Sequence, residues 1–348
     1  MSTMNDQKTP SSGDVYSLAE AEDARLIKED AESLSQGQLI RRRFLHHKAA
    51  MVSVGVLVFI TVMAFSSIGF AGLPGWWGKT YLDAGTVIDG GRPTLSLIPT
   101  WLGGDGIRWG EYPFGQENTG KDYFALVMRG TQKSILIAVI VGAVATCIGA
   151  IIGAVAGYFR GWVDSILMRV TDLFIVIPLL VLAAVLGQIA GNLGSSIVYL
   201  ALVLGLVTWT GLARLVRGEI LSLREREFVS AAQSMGSSSG RIIFKHLLPN
   251  TIGVIVVNAT FAIAGAILLE TSLSYLGFGV VAPESSLGLL ISEYQNSFTN
   301  RPWLFWWPGV IIVAIALSVN FIGDGLRDAF DPRQTQKRSK KRKAKANA

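Results

Sequence analysis

The chain carries one cysteine in 348 residues, Cys147, and it sits in an apolar run. That excludes an intrachain disulfide, a thiolate metal cluster and a CxxC redox pair. Charge is scarce too: 16% of residues are Asp, Glu, Lys or Arg, against about 25% in ordinary globular chains. Half of the residues are hydrophobic, more apolar surface than a soluble monomer of this length hides. Prolines are few, 11 against 38 glycines with no three-residue period. A collagen-like or low-complexity chain is therefore excluded, and the glycine content fits a membrane helix bundle.

What is present is a set of uncharged runs. Residues 49–70 contain no charge across 22 positions, about the 20 residues needed to cross roughly 30 Å of hydrocarbon. A polar stretch of 48 residues precedes them and no small-residue cleavage pattern follows, which disfavours a signal peptide. Further uncharged runs cover 134–159, 173–213, 247–269 and 302–323. The run 173–213 is long enough for two spans and is interrupted by GQIAGNLGSS, whose glycines and asparagine favour a turn. Six spans are predicted, with no broken helix and no ionisable residue near their midplane.

The 31 Lys and Arg decide the orientation. They gather in 1–48, in the turn FRGWVD, in 213–249 and in 324–348, where KRSKKRKAK dominates. These segments all fall on one side of a six-span chain, so both termini are expected in the cytoplasm. The basic tail reads as a solvated segment near anionic lipid rather than a nucleic-acid site. Trp76, Trp77, Trp303, Trp306 and Trp307 fall near the opposite interface. Gly149, Gly153 and Gly157 are four residues apart and stack on one helix face, where they serve either intrachain packing or a subunit interface. Arg169 with Asp172, and Arg214 with Arg217, stand at span ends, where snorkelling and local pairing account for them and the alternative is that they line a pathway.

Two enzyme-like strings carry no chemistry. Gly236 to Gly240 reads GSSSG, but a nucleophile elbow needs a strand before the turn, and the flanks have helical periodicity. GLPGWWGKT from Gly72 has five residues rather than four between its first glycine and Gly78-Lys79-Thr80, and no strand precedes it. The spans show no convergent His, Ser, Cys or carboxylate set, so the chain is not expected to be an enzyme.

The connection from Ala213 to Pro249 is far longer than the two to eight residues that usually join bundled helices. Phe228, Ala231, Ala232 and Met235 fall at i, i+3, i+4 and i+7, an apolar stripe on a short helix. Arg224, Glu227, Ser230 and Gln233 occupy the other face, and Gly236 ends the helix. A second helical stretch carries Ile242, Ile243 and Leu247, and Pro249 begins the fifth span. Such a helix, glycine and helix either lies in the bilayer interface or docks onto a cytoplasmic partner.

The string AAQSMGSSSGRIIFKHLLPN resembles the EAA loop of permease subunits of binding-protein-dependent ABC importers. Ala231, Ala232, Gly236, Leu248 and Pro249 match that pattern at its spacing, while Ser230 replaces its glutamate and His246 its isoleucine. A histidine before LLPN, together with YPFGQENTGKDYFALVMRGTQKS, GYFRGWVDSILMRVTDLFIVIP, ETSLSYLGFG and GDGLRDAFDPR, is similar to the dipeptide, oligopeptide and nickel branch, as its second, C-type permease subunit. The resemblance runs over about 38–335.

It implies an all-α integral membrane protein of six spans, a type I ABC importer transmembrane domain with both termini in the cytoplasm of a bacterial plasma membrane. The division expected is a polar tail 1–37, a membrane-proximal helix, first span and external segment in 38–130, a core permease domain 131–325 with its coupling loop at about 218–249, and a basic tail 326–348. The residues implied to couple to the ATPases are Glu227, Phe228, Ala231, Ala232, Met235, Gly236, Arg241, His246 and Pro249. The implied partners are a second homologous permease subunit, two cytoplasmic ABC ATPases that hold ATP and Mg, an extracytoplasmic peptide-binding protein and the bilayer, without nucleic acid. No cofactor is expected in this chain. Short peptides are the expected cargo, with nickel or another small solute as the alternative, and an ion-driven secondary transporter is the competing class.

Overall fold

The computed structural model describes residues 35–96, 100–102, 106, 108–192, 197–282 and 284–331. The tail 1–34, the basic run 337–345 and the last four residues of GQIAGNLGSS lie outside the described residues. The described residues fall into two units, 35–47 with 328–331, and Lys48–Arg327.

In the smaller unit α1 (Gln36–Leu45) opens with a capping box: Ser35 Oγ accepts from Gln38 N, and Gln38 Oε1 accepts from Ser35 N. The Arg43 guanidinium donates to the Asp331 carbonyl at 3.4 Å, and His47 lies 3.5 Å from the Asp328 carboxylate.

The larger unit is all helix and loop, with no strand among the described residues. Its apolar helices are α2 (Lys48–Ser67), α3 (Tyr123–Phe159), α4 (Gly161–Val176), α5 (Leu179–Asn192), α6 (Ile197–Thr208), α7 (Thr210–Arg224), α11 (Ile252–Tyr275) and α13 (Trp303–Phe330). Between α7 and α11 stand α8 (Glu227–Ser234), α9 (Ser239–Arg241), a π turn (Ile242–Leu247) and α10 (Leu248–Asn250); α12 (Leu287–Tyr294) follows α11. Four helices are long and apolar enough to cross a membrane, and there are six spans if α4 with α5 and α6 with α7 are each counted as one.

The expectation of unbroken spans is overturned at those two pairs. Helices α4 and α5 meet at 89°, and α6 and α7 at 44°. The sharper bend falls at Ile177-Pro178. The residue before a proline is pushed out of the helical region, and Ile177 is extended at φ −76°, ψ 127°. Helix boundaries also move: the fourth span continues through Ala213 to Arg224, and the second begins at Tyr123 rather than Ser134.

Helix α3 is the mast of the bundle. Its 37 residues correspond to about 55 Å at 1.5 Å per residue. Asp122 caps its start, accepting from Ala125 N at 2.8 Å, and Arg160 at φ 55° ends it. The glycine stripe on α3 packs within the chain. A Cβ at Gly149, Gly153 or Gly157 would lie under 3.0 Å from the carbonyl oxygens of Trp209, Ala213 and Arg217 respectively. Those partners are themselves four apart, so two helix backbones run in register against each other, and only glycine permits that approach.

Glu270 closes the far end of the bundle. It is fully buried inside α11, one residue beyond the apolar run 247–269 and in the last turns of that helix. Ser134 donates to its Oε2 at 3.1 Å and Ser274 to its Oε1 at 2.7 Å. The same two hydroxyl oxygens accept from Leu287 N at 3.2 Å and Val280 N at 3.0 Å. A buried carboxylate with both oxygens bonded thus pins the return segment after α11 onto α3.

The tryptophans at this end pack inward more than a lipid-facing belt would require. Phe114 stacks on Trp307 at 3.9 Å between ring centroids, and Phe124 lies edge-on to Trp77, Trp109 and Phe114. Trp76 and Trp306 keep more than half of their surface exposed.

Candidate functional site

The connection between α7 and α11 has its own apolar core. Val229, Ala232, Ile242, Ile243 and Leu247 bury against Val216 and Ile220 of α7 and Ala150, Ala154 and Tyr158 of α3. The loop is therefore seated on the tightest helix pair of the bundle. Arg224 at the end of α7 reinforces that seat, donating to the Tyr158 carbonyl with its guanidinium 5.5 Å from the Tyr158 ring.

Helix α8 begins at Arg226, which is extended, and carries Glu227 in its first turn, where a carboxylate is favoured by the exposed N–H groups. Its end is a Schellman motif. Gly236 at φ 76° donates its N–H to the Gln233 carbonyl, and Ser237 N–H reaches the Ala232 carbonyl. A Cβ at Gly236 would meet no atom within 4 Å, so glycine is required there by the backbone angle alone. Gly236→Val should weaken this turn by about 1–2 kcal/mol, the usual cost of the left-handed region for a side chain, while Gly236→Asn should cost clearly less. Hydrogen exchange of residues 227–247 in the two variants checks the order.

The apolar stripe expected on α8 divides. Val229 and Ala232, at 1% and 2% exposure, face the bundle, whereas Phe228 at 40%, Met235 at 78% and Ala231 face away. The two sets are about a quarter turn apart on the helix. Ala232 is thus removed from the exposed stripe: it is the foot on which α8 stands. Val229, its companion, had no place in the expected set, and Phe244, exposed at 62%, is a second apolar residue that the sequence reading passed over. The i, i+3, i+7 spacing of Phe228, Ala231 and Met235 still places three apolar groups on one open face.

The second stretch follows the expectation for Ile242, Ile243 and Leu247, all buried. Its path to α11 is a nearly continuous helix with a π turn rather than a break. Leu248 N–H bonds the Ile243 carbonyl five residues back, widening the turn just where the Pro249 ring would otherwise press on the preceding carbonyls. His246 is half-buried and its carbonyl accepts from Asn250 Nδ2 at 2.6 Å. Arg241, Lys245, Glu227 and Pro249 are exposed.

The charged span ends are paired between helices. Asp172 meets Arg214 at 2.5 Å, not the Arg169 three residues before it, and Asp164 takes a bidentate bond from Arg217 at 2.6 Å on both nitrogens. Arg160 pairs with Glu225.

An all-helical chain with bent spans and a helical connection seated on a glycine-tight pair is a polytopic membrane component. The chain belongs to the family of binding-protein-dependent transport system inner membrane components, whose pattern matches residues 149–336. Residues 35–73 match the N-terminal TM domain of oligopeptide transport permease C. The oligopeptide transport system permease protein OppC of Mycobacterium tuberculosis is 39% identical over 86% of this chain and 96% of its own length. That of Escherichia coli is 37% identical over 88% of this chain and 94% of its own, and a peptide permease protein of Brucella ovis is 37% identical over 86% and 92%. A chain of the inward-facing MetNI methionine ABC transporter matches 59% of this chain and 97% of its own at 19% identity, with a TM-score of 0.49.

Proposed function

We propose that this chain is one of two permease subunits of a type I ABC importer that carries short peptides inward across a bacterial plasma membrane. The observation that carries the reading is the open face of α8. Phe228, Ala231 and Met235 stand exposed on a helix whose neighbouring face, with Val229 and Ala232, is locked into the bundle, the form expected of a helix that fits a groove on another protein. That partner is a cytoplasmic ATPase, and a second one meets the homologous permease. Closure of the ATPase pair around ATP and Mg moves the two docking helices together, and the rigid seat of each transmits the movement to the spans. Arg241, Lys245 and Glu227 form the charged surroundings of the contact. A peptide-binding protein delivers cargo to the external stretches 71–130 and 273–305 at the opposite end, and both termini lie in the cytoplasm. The relatives named for oligopeptides favour that cargo over nickel.

Single cysteines test the orientation. In a Cys147→Ala background, a membrane-impermeant maleimide should label Gln295→Cys but not Gln233→Cys in intact cells, and both after lysis. Labelling of position 233 from outside would overturn the reading. Cargo is tested in cells lacking the chain: its return should restore uptake of a radiolabelled tripeptide and leave nickel-63 uptake unchanged.

A further inference from the structure

We infer that Asp164 and Asp172, paired with Arg217 and Arg214, are positioning residues of transport that link the docking loop to the bent third span. This rests on the ATPase-coupling reading of the loop. Helix α4 is a strut between two swivels. At its start Arg160 and Gly161 have φ of 55° and 57°, and at its end Ile177-Pro178 turns the chain by 89° into α5. Along its 16 residues only Thr171 is buried, and the Thr171 hydroxyl donates to Leu167 of the same helix. What holds α4 sideways is therefore chiefly polar: Arg160 to Glu225, Asp164 to Arg217 and Asp172 to Arg214. One apolar anchor joins them: Phe174 packs on the buried cluster of Ala145, Trp209 and Ala213, its ring 5.7 Å from the indole at the 44° bend between α6 and α7.

The other side of the ladder is of a different character. Helix α7 lies backbone to backbone on α3 and shares a buried apolar core with α8 and the π turn. Loop, α7 and α3 therefore move as one body, because packed cores do not deform continuously. Helix α4 follows that body mainly through the ion pairs, with Phe174 as its one apolar anchor. A bidentate Arg–carboxylate pair fixes direction as well as distance, so Asp164–Arg217 sets the angle of the strut and Asp172–Arg214 sets its position beside the hinge. Part-exposed pairs can part and re-form at modest cost, as a joint used in every cycle must.

The test uses the complete transporter, with its own second permease, ATPases and solute-binding protein, in liposomes. ATP hydrolysis and uptake of a radiolabelled tripeptide are measured together. In the double variant Asp164→Asn, Asp172→Asn the ATPases should still co-purify and hydrolysis should stay within about twofold, while uptake per ATP should fall about tenfold. Asp164→Arg alone should fail likewise, and Asp164→Arg with Arg217→Asp, which restores a pair of opposite polarity, should recover most of the ratio. An unchanged ratio in the double variant, or a swapped chain no better than the single variant, would overturn the proposal. So would loss of the ATPases from the asparagine variants, which would make the pairs simple supports of the loop. Absence of ATPases from the unaltered chain would instead remove the coupling reading itself.

Discussion

Ala232→Glu is expected to dismantle the docking loop before any partner is met. Ala232 is 2% exposed and packs with Val229, Ile242, Ile243 and Leu247 against α7. An unpaired carboxylate forced into that core should cost about 3–5 kcal/mol, and the extra volume adds overpacking strain. The helix would leave its seat, and hydrogen exchange over 227–247 should rise by orders of magnitude while the apolar spans stay protected. ATPase association and uptake should be lost as a consequence. Met235→Glu separates the two effects. Met235 is 78% exposed, so a charge there should change the stability of the chain by no more than about 0.5 kcal/mol. If α8 enters a groove, the same charge buried in the contact should remove about 2 kcal/mol or more of binding. The result expected is normal exchange in 227–247 with loss of co-purifying ATPases. Normal exchange with undiminished ATPase association and uptake would mean that α8 lies on lipid instead.

The contrast between those two residues marks where the sequence stops being informative. The apolar periodicity of 228–235 and the glycine at 236 were enough to place a short helix and its end, because both are set by local backbone geometry. Which edge of the stripe faces inward depends on what lies beneath it. Val216 and Ile220 supply that floor from the preceding helix, and an eight-residue wheel cannot distinguish two faces a quarter turn apart. The bends follow the same division. Pro178 is visible in the sequence and its effect on Ile177 is local, yet the run around it is so apolar that it reads as one straight span. The bend at Trp209 has no proline or glycine at its apex; there the Thr208 hydroxyl bonds back to the Leu204 carbonyl, the indole N–H bonds the Leu206 carbonyl, and the ring packs with Ala145 and Phe174. Asp172 shows the limit for charges: Arg169 stands at helical spacing, but Arg214, 42 positions away, takes the bond.

The glycine stripe gives the second large effect. Gly153→Leu should prevent the bundle from closing. Its Cβ would already fall within 3.0 Å of the Ala213 carbonyl and of Val216 Cβ, and neither neighbour is the movable tip of a side chain. Helices α3 and α7 would have to separate along the length that Gly149, Gly153 and Gly157 share. Overpacking a core commonly costs about 1–3 kcal/mol, and backbone on both sides places this site at the top of that range or above it. The predicted outcome is a chain that inserts but unfolds at markedly lower temperature in detergent, with the docking loop exchanging freely because its floor on α7 has shifted. Gly218→Ala is the matched control. Gly218 lies on α7, the helix packed against α3, and a Cβ there meets nothing within 4 Å, so the change should be neutral or stabilise by up to about 1 kcal/mol through helix propensity. If Gly153→Leu melted no earlier than Gly218→Ala, the close approach of α3 and α7 would be wrong. With it would go the rigid body through which the loop is proposed to act on the spans.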